Sequence, residues 1–432
     1  MSSIDYILSL ILGVIGSLIA SLIFAKINSA NIRHYLFLSL SLFCFFISMS
    51  ILVFVLLQKI DLNFVVIITV IALNVSSLVL LSIHIKKNNS QNTSLVIKEQ
   101  QSFDESYLDF RKQAINKCGD ELGEALCEIA NAFKEIKILF DASFIKGISD
   151  TEFTESIIYP GGLKDSGKLT THLESKIETI YKKMITGSKN HKGVLSTDIN
   201  MQTGNSSSGN YRWIVDGLDG GLHFLRNISI FSSSIALQKK EGRNWSTIIG
   251  AVLIPTTNEF FFAIKDKGAF LNNWETKLPL NNRPDKLNEC IFYIESPTIN
   301  TINNEGQDKY EDCYTLIKSL NSKNKKNRNF NVGSYGLAYL AKGSWDAYIS
   351  LAGTTSMYDS EAGKLLVEES GKDDDKPTMY VIKEPVREED GIDMGSRIFS
   401  SSEKILKILI KDDVLYSDIK KIFPNFKSKL KC

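Results

Sequence analysis

The chain has 432 residues, 44% of them hydrophobic, and its 50 Lys and Arg nearly balance 49 Asp and Glu. That length exceeds one ordinary domain and suffices for a large core. The balanced charge excludes the basic excess by which a nucleic-acid binder is recognised.

In chain order, the first feature is a set of three long apolar runs, Tyr6–Ala25, Tyr35–Leu57 and Phe64–Ile85. Each reaches the roughly 20 residues that cross a hydrocarbon core about 30 Å thick, so three transmembrane helices are expected within residues 1–87. Lys26 and Arg33 lie between the first two runs, and Lys86 and Lys87 follow the third. On the other side Asp5 stands alone, and Lys59 and Asp61 cancel. The positive-inside rule then puts the N-terminus outside and the rest in the cytoplasm, as in a protein of a bacterial inner membrane. Cys44 lies in a run, and Cys118, Cys127, Cys290, Cys313 and Cys432 form no CxxC, consistent with scattered reduced thiols.

The polar stretch from Lys86 to Ser102 has no period and reads as a linker, assigned to residues 88–102. Helical spacing follows from Phe103 to Phe140 at Ala114, Cys118, Leu122, Ala125 and Ile129, and again over Leu169–Met184. A β-rich region opens near Gly193 and includes Trp213–Val215, Ile228–Gln238, Thr247–Pro255 and Glu259–Lys265, the last two as a hairpin. Ser322–Asn329 reads as a basic surface loop. Ile291–Glu295 and Asp346–Ser350 read as strands, and Ser360–Glu369 as a helix ending at Gly371. This mixture indicates an α/β or α+β domain over residues 103–412, with 413–432 as a tail.

The chemistry centres on Trp213–Phe224, WIVDGLDGGLHF. Asp216 and Asp219 at the end of a strand can converge on one cation, with the Leu218 carbonyl between them. Mg²⁺ takes such hard oxygen ligands in octahedral array at about 2.0–2.1 Å. Gly220 and Gly221 let backbone N–H groups approach a phosphate, and a helix starting there adds its dipole. Taken alone, the same residues also suit an acidic turn. A second acidic element, Tyr358-Asp359-Ser360-Glu361-Ala362-Gly363, places Asp359 where a helix N-cap is expected.

Four elements follow one another: strand-terminal DxxDG, a hairpin into KDKGAFLNN (Lys265–Asn273), a GSxxLAYLAxGxxDAY stretch, and a DxxAG helix. This order resembles the inositol monophosphatase family, within the larger group of Mg²⁺-dependent, often lithium-sensitive sugar-phosphate and nucleotide phosphatases. The resemblance runs from about Phe103 to Lys411, with Ser396–Ser402 as the closing strand. It implies a layered α-β-α-β-α fold behind the three membrane helices and two or three Mg²⁺ ions. Asp216, Leu218, Asp219 and Asp359 would hold metal, and Gly220, Gly221 and Leu222 would cradle phosphate. The family's Glu-Glu pair falls on Leu195–Asp198, so Thr197 replaces the first glutamate and Asp198 is the nearest substitute. Gly221 stands where the family has the threonine that orients water, and Glu174 is the nearest match to its upstream acid. The acid that contacts inositol falls near Ser350. His223, where the family has asparagine, reads as structural.

Two functions follow. One is a membrane-anchored Mg²⁺ phosphomonoesterase with catalytic Glu174, Asp216 and Asp219, acting on a small phosphorylated metabolite. The other is a catalytically degenerate domain that senses such a ligand and signals to its membrane helices. No nucleic-acid partner is expected, and homo-oligomerisation is left open.

Overall fold

The structure is a computed structural model that describes residues 108–141, 172–188, 191, 194–197, 210–371, 377–389, 392–424 and 426. The chain divides into two compact units at Ser106 and Tyr107, and every described residue belongs to the second. The three apolar runs, the linker and Asp198 lie outside the described residues. Among the described residues no helix is long and apolar enough to cross a membrane.

Two helical segments open the unit, α1 over 108–141 and α2 over His172–Gly187. A six-stranded sheet follows, ordered β1-β2-β3-β4-β5-β6. Its strands are Val194–Thr197, Tyr211–Asp219, Ser232–Glu241, Asn244–Ile254, Glu259–Ile264 and Gly268–Leu271. β1 runs parallel to β2 and every later neighbour is antiparallel. A short helix, α3 (Gly221–Leu225), joins β2 to β3. The second sheet has five strands in the order β10-β11-β9-β7-β8. These are β7 (Ile291–Glu295), β8 (Lys326–Arg328), β9 (Ala347–Ser356), β10 (Pro377–Glu389) and β11 (Ile392–Ser402). Its helices are α4 (Ile299–Glu305), α5 (Gln307–Asn321), α6 (Gly333–Lys342), α7 (Met357–Glu369), α8 (Glu403–Ile410) and α9 (Asp413–Ile422).

Side-chain alternation along β2 shows how the layers form. Trp213 and Val215 face one core with Ile129, Phe133, Ile177 and Tyr181 of α1 and α2. Ile214, between them, faces a second core with Leu337 and Leu340 of α6 and Leu365 and Leu366 of α7. A strand buried on both faces reads as an unbroken apolar run, as WIV does. The other side of α6 and α7 is closed by Tyr293, Tyr348 and Ile398 of the second sheet. A third core packs Leu316, Ile405, Leu409 and Ile419 of α5, α8 and α9 on that sheet's far face. The result is the expected α-β-α-β-α layering. The central layer is thin because small residues admit backbone: a Cβ on Gly250 would lie 2.6 Å from the Ala362 carbonyl oxygen, and one on Gly363 would lie 2.5 Å from the Leu337 Cβ.

The expected strands and the β4–β5 hairpin are present, with shifted ends. Residues 228–231 are irregular rather than strand, because Ile228 N–H bonds the His223 carbonyl at 2.9 Å and closes the α3 exit. The basic segment Ser322–Asn329 contains an edge strand, β8, paired in parallel with β7. Residues 413–422, expected from the sequence as a tail beyond the domain, form α9, whose Leu415, Ile419 and Ile422 are fully buried.

Candidate metal and phosphate site

Asp216, Asp219 and Asp359 each offer a carboxylate oxygen within 4.8 Å of the other two. Residues 143 apart in sequence, Asp216 and Asp359, meet because α7 crosses directly over β2 to β4 in the central layer. β2 continues through Asp216 to Asp219, so Asp216 sits inside the strand and only Asp219 ends it. The ladder to β3 shifts register between these two residues, which turns both carboxylates to one place. Both aspartates are buried.

Each carboxylate is held from behind. Leu218 N–H donates to Asp216 Oδ1 at 3.0 Å. Ser334, in the first turn of α6, donates its N–H (2.8 Å) and its hydroxyl (2.7 Å) to Asp219 Oδ2. Ser356 donates N–H (3.0 Å) and hydroxyl (2.9 Å) to Asp359 Oδ2. Ser356 is the N-cap of α7 and Asp359 its third residue, the two forming a capping box. The sequence reading had placed Asp359 itself at the cap. In the structure Ser356 is the cap, and Asp359 completes the box while keeping a carboxylate oxygen within reach of the other two aspartates.

Three crowded carboxylates repel. Burial and then the neighbouring Asp359 push Asp219 well above the usual carboxylate range, against the lowering effect of Ser334. Hard oxygen donors at this spacing, already fixed by outer hydrogen bonds, suit a divalent cation such as Mg²⁺.

Beside them, Gly220 takes φ +87°, and a Cβ there would lie 2.9 Å from the Ile230 carbonyl oxygen. Only glycine turns the chain into α3 at this point. Phe224 anchors α3 edge-on to Phe231 at 5.3 Å, over Phe140 at 6.0 Å. The first-turn N–H groups, including those of Gly221 and Leu222, have no acceptor within the helix. Leu222 exposes its side chain. A Cβ on Gly221 would meet the Leu218 side chain at ordinary contact distance, 3.9 Å from Cδ2, without overlap. His223 is lowered from its ordinary value by burial, which favours the neutral ring.

Glu174 is buried in the first turn of α2. A Cβ on Gly217 would lie 3.5 Å from Glu174 Cγ, so this acid stands against the DGLD segment although outside the three-carboxylate group. Thr197 pairs through its backbone with Val215, one residue before Asp216. Sequence reasoning missed Ser334 and Ser356. It also missed Tyr181, whose hydroxyl meets Ser233 Oγ at 2.7 Å, with Ser233 reaching the Asp216 carbonyl at 3.4 Å. The S-x-x-D pattern at Ser356–Asp359 was the available signal for one of these.

The layers and the carboxylate cluster define an α/β domain with a candidate metal site. The inositol monophosphatase family profile matches residues 126–384, and the chain belongs to that family. It is 29% identical over 208 residues to inositol-1-monophosphatase of Caulobacter vibrioides, covering 48% of this chain and 75% of that one. It is 25% identical over 250 residues to inositol monophosphatase 2 of Saccharomyces cerevisiae, covering 57% and 82%. The crystal structure of extragenic suppressor protein suhB from Bartonella henselae shares the fold, with TM-score 0.53 and 20% identity, over 69% of this chain and 99% of that one.

Proposed function

We propose that this chain is a membrane-anchored, cytoplasm-facing, Mg²⁺-dependent phosphomonoesterase. Its substrate is a small phosphorylated metabolite: an inositol phosphate, a sugar phosphate or a 3′-phosphonucleotide. The observation that carries the reading is the convergence of Asp216, Asp219 and Asp359 within 4.8 Å, beside a glycine turn and a helix start. Membrane anchoring rests on the three N-terminal apolar runs alone.

In this reading Asp216, Asp219, Asp359 and the Leu218 carbonyl hold metal, with Asp198 as a further ligand. Bound Mg²⁺ supplies an activated water and neutralises charge on the leaving oxygen. The N–H groups of Gly220, Gly221 and Leu222 receive the phosphate oxygens and orient the ester for in-line attack. Glu174, held against Gly217, accepts a proton from the attacking water and fixes its direction. Ser334 and Ser356 keep Asp219 and Asp359 turned inward, so that the site is preformed.

A second reading, ligand sensing without turnover, is favoured by one observation: residue 221 is a glycine and offers no hydroxyl, where the resemblance puts a water-orienting one. Phosphate release from a panel of inositol phosphates, sugar phosphates and 3′-phosphonucleotides separates the two. Wild type turns over at least one ester and Asp216→Asn does not. Equal inertness of both proteins across the panel removes the phosphatase reading.

A further inference from the structure

The strand that delivers Asp359 does not run straight into its helix. Ser350 and Thr355 of β9 pair with Ile398 and Ser396 of β11, so residues 351–354 stand out of the ladder opposite one residue, Arg397. Arg397 is 0% exposed, and a guanidinium buried this deeply has to be matched by acceptors. Its Nε donates to the Leu351 carbonyl at 3.4 Å, and its Nη2 donates to Glu305 Oε1 at 2.6 Å. Glu305 is the last residue of α4, so the acceptor is brought in from a different element.

The bulge is shaped around this pair. Gly353 takes φ +69°, and a Cβ there would overlap Glu305 Oε1 and lie 2.9 Å from Arg397 Nη2. The neck of the bulge is closed by the hydroxyls of Ser350 and Thr355, 2.5 Å apart, and Thr355 reaches the buried Glu295 Oε2 at 3.3 Å. The next residue is Ser356, whose N–H and hydroxyl hold Asp359. Bulges beside active sites serve to re-aim a side chain.

We propose that Arg397, paired with Glu305, is a positioning residue for the cation site: it fastens the 351–354 bulge and so sets where Ser356 presents Asp359 to Asp216 and Asp219. This rests on the reading that the three aspartates hold a divalent cation. If the pair only filled space in the core, apolar residues of similar size would serve as well.

The test is the double variant Glu305→Leu, Arg397→Met in the full chain. Replacing a buried ion pair with apolar residues leaves stability unchanged or raised in many proteins. Mg²⁺ affinity is measured by titration calorimetry, and metal-free stability by thermal unfolding in chelator. The expected result is a loss of Mg²⁺ affinity of about tenfold, the usual scale for an outer-shell change, in a protein that still unfolds cooperatively. Unchanged affinity in the folded double variant overturns the proposal. Should that variant not fold, Gly353→Ala keeps both charges but displaces the bulge from them, with the same tenfold loss expected and unchanged affinity again overturning. Arg397→Lys, which keeps charge but not the fork, falls between wild type and the double variant. Wild type binding no Mg²⁺ at all overturns the site reading, and the positioning role with it; Mg²⁺ bound equally by wild type and variant overturns the positioning role alone.

Discussion

Replacing Asp219 with asparagine separates the stability of the fold from the purpose of its site. Two unit charges within 4.8 Å at an effective dielectric constant near 20 repel by at least about 3 kcal/mol, and Asp219 has two such neighbours. Burial adds to the penalty, and the group is driven toward its neutral form. The substituted amide would retain an oxygen to accept both Ser334 bonds, while its nitrogen would donate where the Asp219 carboxylate repels. Metal-free Asp219→Asn is therefore expected to exceed wild type by about 2–3 kcal/mol at pH 8, or roughly 5 °C in unfolding midpoint. Wild type should gain about 2.7 kcal/mol at Mg²⁺ a hundredfold above its dissociation constant, and the variant should gain nothing. Thermal unfolding with chelator and with Mg²⁺, on both proteins, reads all four values. A metal-free variant less stable than wild type, or one still stabilised by Mg²⁺, would refute the reasoning.

Three other outcomes follow from local geometry. Burial raises Glu295 from 4.5 to about 7, with the Asp359 charge adding to it, against the lowering effect of the Ser350 and Thr355 hydroxyls. A raised carboxyl contributes stability that is complete below about pH 4.5 and lost as pH rises through 7, a swing of about 3 kcal/mol. Glu295→Gln should flatten that part of the metal-free urea-unfolding profile, and a wild type already flat between pH 5 and 8 contradicts the assignment. Gly221→Thr places its Cβ in ordinary contact with Leu218, without overlap, and should leave stability within about 0.5 kcal/mol while raising phosphate release about tenfold; an unchanged rate shows that the missing hydroxyl does not limit turnover. Gly363→Ala drives a Cβ to 2.5 Å from the Leu337 Cβ and should cost about 1–3 kcal/mol in chemical denaturation. An unaffected midpoint would mean that α6 and α7 separate without strain.

Legibility in the sequence followed sequence distance. The β4–β5 hairpin and the WIV run of β2 were readable because their signals are local: a short turn, and apolar residues with no polar interruption. Asp216, Asp219 and Asp359 were found from motif order, and the structure brings all three together. What a linear reading does not contain is the second contact of each acid. Ser334 reaches Asp219 across 115 positions, and nothing near either residue announces the pair. The start of α7 was misplaced because Asp is a common cap, whereas Ser356, three residues earlier, completes a reciprocal box. Residues 413–422 fall outside the domain in the sequence reading, but three buried residues spaced three and four apart, Leu415, Ile419 and Ile422, mark them as packed helix. The bulge of β9 was invisible for a related reason. A strand that loops out and returns leaves no periodic trace, and only the pairing with β11 reveals it.

The central claim is that Asp216, Asp219 and Asp359 form one divalent-cation site prepared for a phosphate ester. Crystals grown with Mn²⁺ in place of Mg²⁺, measured at the manganese absorption edge, test it directly. The account predicts an anomalous peak bounded by the three carboxylates and the Leu218 carbonyl, lost in Asp359→Asn, and the same map shows whether Thr197 or Asp198 reaches the ion. A map without a peak there, or with manganese bound only elsewhere on the chain, would contradict it.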